Sequence, residues 1–185
     1  MLPQKEIWLV KSASSLKVDG KTNVNLFTCT IDSYGKPDTL ICEATRAAEI
    51  INVKSRIAIP VNRFDCGMKM MTKDLQKTLK QEEFPFLFIE FRQFSKMLNQ
   101  PVGIATLNGL AEISLAGTTQ KFQIQCISKR LNESEIELRG SKSIKLTDFN
   151  LKPPSKLGGA IKVEDQMVVH FVLQLKRISH TKGTF

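Results

Sequence analysis

The sequence predicts an all-β protein with one short helix, folded as a closed antiparallel β-barrel of about eight strands. The first observation is the alternation over 163–176, where one parity is apolar: Val163, Met167, Val169, Phe171, Leu173 and Leu175. Such a period of two is typical of a strand with one buried face. The second is that it recurs along most of the 185-residue chain. Two packed sheets would also fit, but closure removes exposed strand edges.

The N-terminal third contains three predicted strands. The first covers 7–18 and is followed by a turn at Asp19–Gly20. The second covers 22–31 and precedes a turn at 34–37, which is rich in glycine and proline. A third strand alternates clearly over 51–61, and Pro60 marks its edge or end.

One segment breaks the period of two. Residues 72–83 predict a short amphipathic helix that begins at Thr72 as its N-cap and has leucines one turn apart. Pro85 ends the helix, and the alternation returns over 87–92. This helix is predicted to cover the outside of the barrel; the alternative is that it forms a lid or mouth for ligand entry.

Asn108–Gly109 is a strong two-residue hairpin signal. A hairpin there would split the apolar face, whereas a straight strand, bulged at Gly109, keeps Ala105, Leu107, Ala111, Ile113 and Leu115 together. The sequence therefore predicts one long strand that reverses at 117–119. After this reversal Phe122, Ile124 and Cys126 face inward.

The next predicted strand runs over 136–146. Gly140 interrupts it and Lys142 falls on its apolar parity, which predicts a bulge or a shortened inner face. A long loop with Pro153–Pro154 and Gly158–Gly159 then leads to the last strand.

Composition narrows the function classes. The net charge is +9, but the lysines are scattered and there is one Trp and one Tyr, so we predict no nucleic-acid partner. No apolar run is long enough to span a bilayer, which leaves at most peripheral membrane contact. A basic n-region with an apolar h-region is absent, so the protein is either cytosolic or has lost a leader. A homodimer remains possible.

The four cysteines show no C-x-x-C spacing, which disfavours zinc and thioredoxin-type sites. We expect Cys29, Cys42, Cys66 and Cys126 to be buried thiols, with disulfides as the alternative in an oxidising compartment. No Ser, Cys or carboxylate can be tied to His170 or His180 as a catalytic pair. We therefore predict neither enzymatic activity nor a cofactor or metal. His170 is expected to be solvated, and His180 to lie in a frayed tail.

Three segments together resemble the YceI-like family. Residues 82–89 are similar to its "yPxIxF" signature, 111–122 to its "GxLTlhGvTkpv" segment, and 147–151 with 163–169 to its "RxdFGi…vxdxVxi" close. Their order and spacing agree over nearly the whole chain. Residues 22–29 resemble a Bacteroidetes-type variant. The resemblance implies a single lipocalin-like barrel domain over 1–185 that holds an isoprenoid or other long-chain amphiphile, in a periplasmic or secreted setting.

The inward parity then defines the candidate ligand-binding residues: Phe27, Val53, Ile57, Leu87, Ile89, Phe91, Ile113, Leu115, Phe122, Ile124, Val169, Phe171 and Leu173. Alone, each could simply belong to a packed core. With the resemblance, they predict the wall of an elongated tunnel for a carried lipid. The alternative is a protein-interaction module with a filled barrel and a functional outer surface of Met68, Met70, Met71, Phe84, Phe86 and Phe88.

Overall fold

A computed structural model describes residues 4–33, 36–44, 50–101 and 103–181. Its one α-helix is α1 (Lys69–Thr78), and 3₁₀ turns occur at Val61–Arg63, Leu146–Phe149 and Leu157–Gly159. The strands in the described ranges are β1 (Gln4–Val10), β2 (Ser15–Lys21), β3 (Leu26–Ile31), β4 (Thr39–Ala44), β5 (Ile51–Ser55), β6 (Ile57–Pro60), β7 (Phe86–Phe94), β8 (Ile104–Leu115), β9 (Thr118–Arg130), β10 (Glu135–Lys145), β11 (Ser155–Lys156), β12 (Ile161–Lys162) and β13 (Gln166–Thr181).

The strands close into an eight-stranded antiparallel barrel. Going round it, β1 is followed by β4, β5 with β6, β7, β8, β9, β10 and β13, and β13 pairs again with β1. The first half of β13 pairs instead with β2, which carries β3 at its outer edge. The predicted fold class, all-β with one helix and a closed barrel, is therefore confirmed.

The core occupies the barrel interior and follows the predicted parity. In β13, Met167, Phe171, Leu173 and Leu175 are buried, while His170 and Gln174 lie on the other face. In β8 the strand runs straight through Asn108–Gly109, as predicted. The strand pairing is irregular in the neighbouring strand β7, between Phe91 and Gln93, and not at Gly109. The reversal falls at 116–117, one residue before the predicted position.

The prediction of one strand over 7–18 is wrong. Residues 11–14 form a turn between β1 and β2, in which the Ser14 amide donates to the Lys11 carbonyl at 3.0 Å. The Ser14 hydroxyl also accepts a hydrogen bond from the backbone amide of Gln174 at 2.9 Å. This turn replaces the sheet ladder locally, so β13 pairs with β1 and β2 in succession.

The predicted turn at Asp19–Gly20 is also misplaced, because β2 continues to Lys21. The reversal lies at 22–25, where the Thr22 hydroxyl accepts a hydrogen bond from the backbone amide of Asn25 at 2.8 Å. Gly20 pairs with Phe27 of β3, and the Phe27 ring lies against it, so that a Cβ there would come within 2.2 Å of Phe27 Cζ. Of the turn predicted at 34–37, residues 34 and 35 lie outside the described residues.

The helix begins and ends earlier than predicted. Thr72 lies inside α1, and its hydroxyl accepts a hydrogen bond from the Cys66 amide at 2.9 Å. The helix ends at Thr78, before Lys80 with φ 52°, so Pro85 plays no part in ending it. The strand predicted over 51–61 is interrupted at Arg56, and Pro60 ends β6 as predicted.

The bulge predicted at Gly140 is absent from the pairing of β10 with β13, which runs in register through Gly140 opposite Phe171. Pairing of β10 with β9 does end at Gly140. Beyond it, Lys142 is half-buried, and its ammonium donates to the Gln123 carbonyl at 2.9 Å. Gly140 is required because the ring of Phe171 lies against it.

We expect Gly140→Ala to destabilise the protein by about 1–3 kcal/mol, the usual cost of overpacking. The new Cβ would come within 2.6 Å of Phe171 Cζ and 3.1 Å of the Gln125 carbonyl oxygen. Gly103→Ala is the control, because a Cβ there meets nothing within 4 Å. Urea denaturation of both variants tests this, and equal midpoints would contradict it. Adding Phe171→Leu to Gly140→Ala removes the ring that the new Cβ would meet, so the double variant G140A/F171L should recover part of the lost stability.

Candidate ligand-binding lumen

Helix α1 closes one end of the barrel instead of covering its outside, which corrects the sequence prediction. Leu75 and Leu79 are buried and share a cavity with inward residues of five strands. These are Leu16 and Val18 of β2, Leu87 and Ile89 of β7, Ile113 and Leu115 of β8, Ile144 of β10, and Met167 and Val169 of β13. We call the end of the barrel that α1 closes the α1 end.

In the described part of the chain, three adjoining cavities extend from the lumen past α1. The first, of about 10 Å³, lies between β2, β6, β7 and β13. The second, of about 50 Å³, lies under α1, and the third, of about 80 Å³, lies between α1, β3 and β12. Leu16 and Ile89 separate the first from the second, and Leu75 and Met167 the second from the third. The interior is thus largely filled, and the expected elongated tunnel is divided into three small cavities.

Most of the candidate ligand-binding residues line these cavities. The first is bounded by Ile57, Ile89, Phe91, Phe171 and Leu173, the second by Leu87, Ile89, Ile113, Leu115 and Val169, and the third by Phe27. The other three lie elsewhere. Val53 is buried in the core, Phe122 packs on Phe149 at 6.2 Å between ring centroids, and Ile124 borders an open groove beside Gly109.

Several lining residues were missed by the sequence analysis. Leu16 belongs to a strand whose inward parity was not extended into the lumen, although the alternation of β2 carries that signal. Met71 and Leu75 lie on a helix that was expected outside the barrel. Met167 was recognised as inward-facing but was omitted from the site.

A buried polar pair lies within β1. The Glu6 side chain is 0% exposed, and its carboxylate accepts a hydrogen bond from Trp8 Nε1 at 3.0 Å. Glu6 is opposite Cys42 in the pairing of β1 with β4. Burial, together with the charge of Glu6, raises the pKa of the Cys42 thiol far above its usual range. Glu6 and Trp8 both lie on the inward-facing side of β1. The sequence pattern did not indicate that a glutamate would be buried there.

The cysteines divide into two kinds. Cys29 and Cys66 form a disulfide, so the expectation of four thiols is wrong for this pair. Cys42 and Cys126 are buried free thiols, as expected. Burial raises the pKa of Cys126 to about 12, so this thiol stays protonated and unreactive near neutral pH.

His170 and Asp19 form a polar contact on the outer face of the barrel. His170 Nε2 lies 3.0 Å from Asp19 Oδ2, and about a third of the His170 side chain is exposed. A hydrogen bond from Thr28 and the charges of Lys17 and His170 lower the pKa of Asp19. The backbone of His180 pairs with Glu6, so this residue lies in β13 and not in a frayed tail. Within the described ranges no group of three His, Cys, Asp or Glu side chains could hold a metal ion.

The predicted outer surface of methionine and phenylalanine is not one patch. Phe86 and Phe88 lie under the cations of Lys36 and Arg56, at 4.9 and 3.9 Å from the ring centroids. Phe84 packs where a Cβ of Gly117 would lie, and Met71 packs against the core. Met68 and Met70, at the start of α1, are the exposed members, at 65% and 66%.

Side chains of α1 and β11 border the third cavity where it approaches solvent. Lys156 Nζ and Asp74 Oδ2 form an ion pair at 2.6 Å, and both line this cavity while remaining partly exposed. The disulfide and a β-bridge between Thr30 and Asp65 attach the segment before α1 to β3. The helix is therefore held over the lumen from both sides.

Comparison with solved structures places this architecture among known folds. A polyisoprenoid-binding domain from Saccharophagus degradans matches with a TM-score of 0.69 and 16% identity, over 92% of this chain and 98% of that one. BcnA from Burkholderia cenocepacia matches with a TM-score of 0.66 and 16% identity, over 89% and 98%. The chain has the fold of these proteins. A YceI protein from Campylobacter jejuni also matches, with a TM-score of 0.55 and 11% identity, over 88% and 85%.

These likenesses agree with the fold that the three sequence segments implied. No protein-family model matches the sequence, and comparison with curated protein sequences finds no match. Nothing found supports the narrower likeness of 22–29 to a Bacteroidetes-type variant. Among the helices of the described ranges, none combines the length and the apolar composition needed to cross a bilayer.

Proposed function

We propose that this protein binds one long apolar ligand, an isoprenoid-like or fatty amphiphile, in the barrel lumen and carries it without chemical change. The observation that carries the proposal is the set of three adjoining cavities that extend from the lumen past α1, walled almost throughout by apolar side chains. Protein interiors are close-packed and contain few voids larger than water. The second and third cavities, of about 50 and 80 Å³, exceed the space of one water and adjoin at Leu75 and Met167. We infer that they mark a path for a flexible chain.

The ligand must displace side chains to use this path. The cavities measure about 10, 50 and 80 Å³, whereas small-molecule sites usually measure about 300–1,000 Å³. Leu75 and Met167 border both the second and the third cavity, and Met71 borders the third. Methionine has three rotatable side-chain bonds and adapts to irregular apolar contacts. We infer that these residues rearrange to join the cavities when the ligand enters.

The energy of binding comes from apolar burial. Each methylene taken from water contributes about 0.8 kcal/mol, so about ten methylenes contribute roughly 8 kcal/mol before the cost of association. A ligand of this kind needs no charged partner inside the lumen. The domain from Saccharophagus degradans is described as polyisoprenoid-binding and has the same fold, which supports this ligand class.

We also propose that the protein works in an oxidising compartment, periplasmic or extracellular. The support is the disulfide between Cys29 and Cys66, since such bonds persist in oxidising environments and are rare in the cytosol. The thiol–disulfide state of the protein isolated from its own cells, trapped by alkylation before lysis, tests this. Two free thiols per chain are expected, and four would contradict it.

Filling the second cavity tests the lumen proposal. Ile113 is half-buried and lines this cavity, so we expect Ile113→Trp to weaken uptake of a fluorescent long-chain fatty acid by at least about tenfold. Ile127→Trp is the matched control, because Ile127 lies on the outer face of the same barrel and is exposed. Circular dichroism verifies the fold of both variants, and fluorescence titration measures uptake.

Two outcomes would contradict the proposal. One is equal uptake by folded I113W and the wild type, which would place the ligand outside the lumen. The other is no uptake of any long-chain probe by the wild type, together with no lipid in its organic extract. That second outcome would favour the alternative, a protein-interaction module with a filled barrel and the exposed Met68 and Met70 as contacts.

A further inference from the structure

Five large apolar side chains are exposed around the third cavity, at the α1 end of the barrel. They are between 61% and 78% exposed: Val24, Leu26, Met68, Met70 and Leu157. Val24 lies in the β2–β3 turn, Leu157 in a 3₁₀ turn, and the two methionines at the start of α1. Leu26 is the first residue of β3, directly after the β2–β3 turn. We call these five residues the apolar rim.

Two contacts bring the separate segments of the apolar rim together. Asn23 Nδ2 donates to the Ala160 carbonyl at 2.8 Å, and Asn23 Oδ1 accepts from the Lys162 amide at 2.8 Å. These bonds join the turn of Val24 to the β11–β12 hairpin, whose tip contains Leu157.

The ion pair between Lys156 and Asp74 joins the same hairpin to α1. Asp74 is four residues after Met70 in the helix, so the two lie one turn apart on the same helix face. Met70 is therefore close to the hairpin that carries Leu157.

The apolar rim is surrounded by positive charge. Exposed lysines follow or flank each of its segments: Lys21, Lys69, Lys73, Lys152 and Lys162. The carboxylates of the same stretches are Asp74, which is paired with Lys156, and the exposed Asp65 and Glu164, so the lysines outnumber them. Such a surface suits an anionic bilayer, because the apolar side chains can insert among the headgroups while the lysines bind the headgroup phosphates.

Apolar residues outside the strands are less exposed at the opposite end of the barrel, where the described residues include Leu131, after β9, at 48% and Ile50, before β5, at 46%. Ile104 is also 65% exposed, but it lies within β8, paired with Lys129 of β9. Ile127 is likewise in the ladder, opposite Thr106. Both side chains face sideways from the sheet and do not project from a turn. They serve as matched controls.

We propose that the α1 end of the barrel docks on an anionic lipid bilayer, with the apolar rim inserted among the headgroups and the lysines on the phosphates. The proposal deepens the proposed function, on which it rests for its purpose. The third cavity lies within the docking surface, so an amphiphile in the bilayer could pass into the lumen beside α1 without crossing water. Docking itself needs only the surface described.

Vesicle sedimentation tests the docking. The wild type is expected to sediment with vesicles of phosphatidylcholine containing a quarter phosphatidylglycerol, and to be released as salt shortens the Debye length to about 3 Å near 1 M. We expect V24S/M70S/L157S and K73Q/K162Q each to lose at least about tenfold in affinity. The controls I104S/I127S and K129Q/K176Q, away from the α1 end, should bind like the wild type.

The same variants separate docking from ligand binding. In solution, V24S/M70S/L157S should still take up the fluorescent fatty acid, because none of its three substituted residues lines a cavity. Uptake without vesicle binding by the wild type would overturn docking and leave the lumen proposal standing. Vesicle binding without uptake would do the reverse. Equal loss in the control variants, or equal binding to pure phosphatidylcholine, would overturn the α1 end as an anionic docking surface.

Discussion

Replacing both cysteines of the disulfide, in the variant C29A/C66A, is expected to lower the free energy of unfolding by about 4 kcal/mol. Cys29 in β3 and Cys66 before α1 are 37 residues apart in the sequence. The bond closes a loop of that size in the unfolded chain and so removes much of its conformational entropy. Urea denaturation of the variant and the wild type measures the difference.

The controls use the two buried free thiols. C126A should cost less, because it removes one sulfur from the core and leaves the chain connectivity unchanged. A reducing agent should lower the stability of the wild type and leave that of C29A/C66A unchanged. Titration of the denatured wild type without reductant should find two thiols, from Cys42 and Cys126. Four thiols, or a stability that reductant does not change, would contradict the prediction.

Loss of the disulfide should act first on α1. The helix is ten residues long, and a helix of that length is marginal without tertiary contacts. Its attachments include the disulfide just before it, the Lys156–Asp74 ion pair, and the burial of Leu75 and Leu79. Hydrogen exchange should therefore increase more at the α1 amides than at those of β13 when the disulfide is absent.

The fold could be predicted because alternation records which side of a strand faces the core. One parity of β13 and one of β8 are apolar over most of their lengths, and both strands lie where the pattern placed them. Element boundaries were less accurate, because local hydrogen bonds decide them. The hydroxyls of Ser14 and Thr22 each satisfy backbone groups that a continuous strand or a different turn would use otherwise.

The candidate site could be predicted only in part, for a related reason. Parity shows that Ile89 and Phe171 face inward, but it does not report how much space remains between them. The disulfide was equally hidden, because Cys29 and Cys66 meet only after β3 and the segment before α1 come together at the Thr30–Asp65 bridge. Volume and distance between elements are properties of the assembled barrel.

Phe171→Ala is expected to destabilise the protein by about 3–5 kcal/mol and to open the lumen at the same time. Phe171 is buried, lines the first cavity, and makes an edge contact with Phe91 at 5.6 Å between ring centroids. Removal of its ring leaves space beside Gly140 and joins it to the first cavity. Apolar cavities of about 150 Å³ made in this way stay dry and bind benzene or xenon.

Phe149→Ala distinguishes the opened lumen from a general loosening of the core. Phe149 is as deeply buried, but it packs on Phe122 and lies away from the three cavities. Both variants should lose comparable stability in urea, whereas saturating benzene should raise the melting temperature of F171A more than that of F149A, because only the space left at Phe171 is continuous with an existing cavity. Equal stabilisation of both variants would show that the added space is not specific to the lumen. If F171A does not fold, the smaller change F171L should show the same selective effect, because Phe171 lines the first cavity and so belongs to the wall of the proposed ligand path.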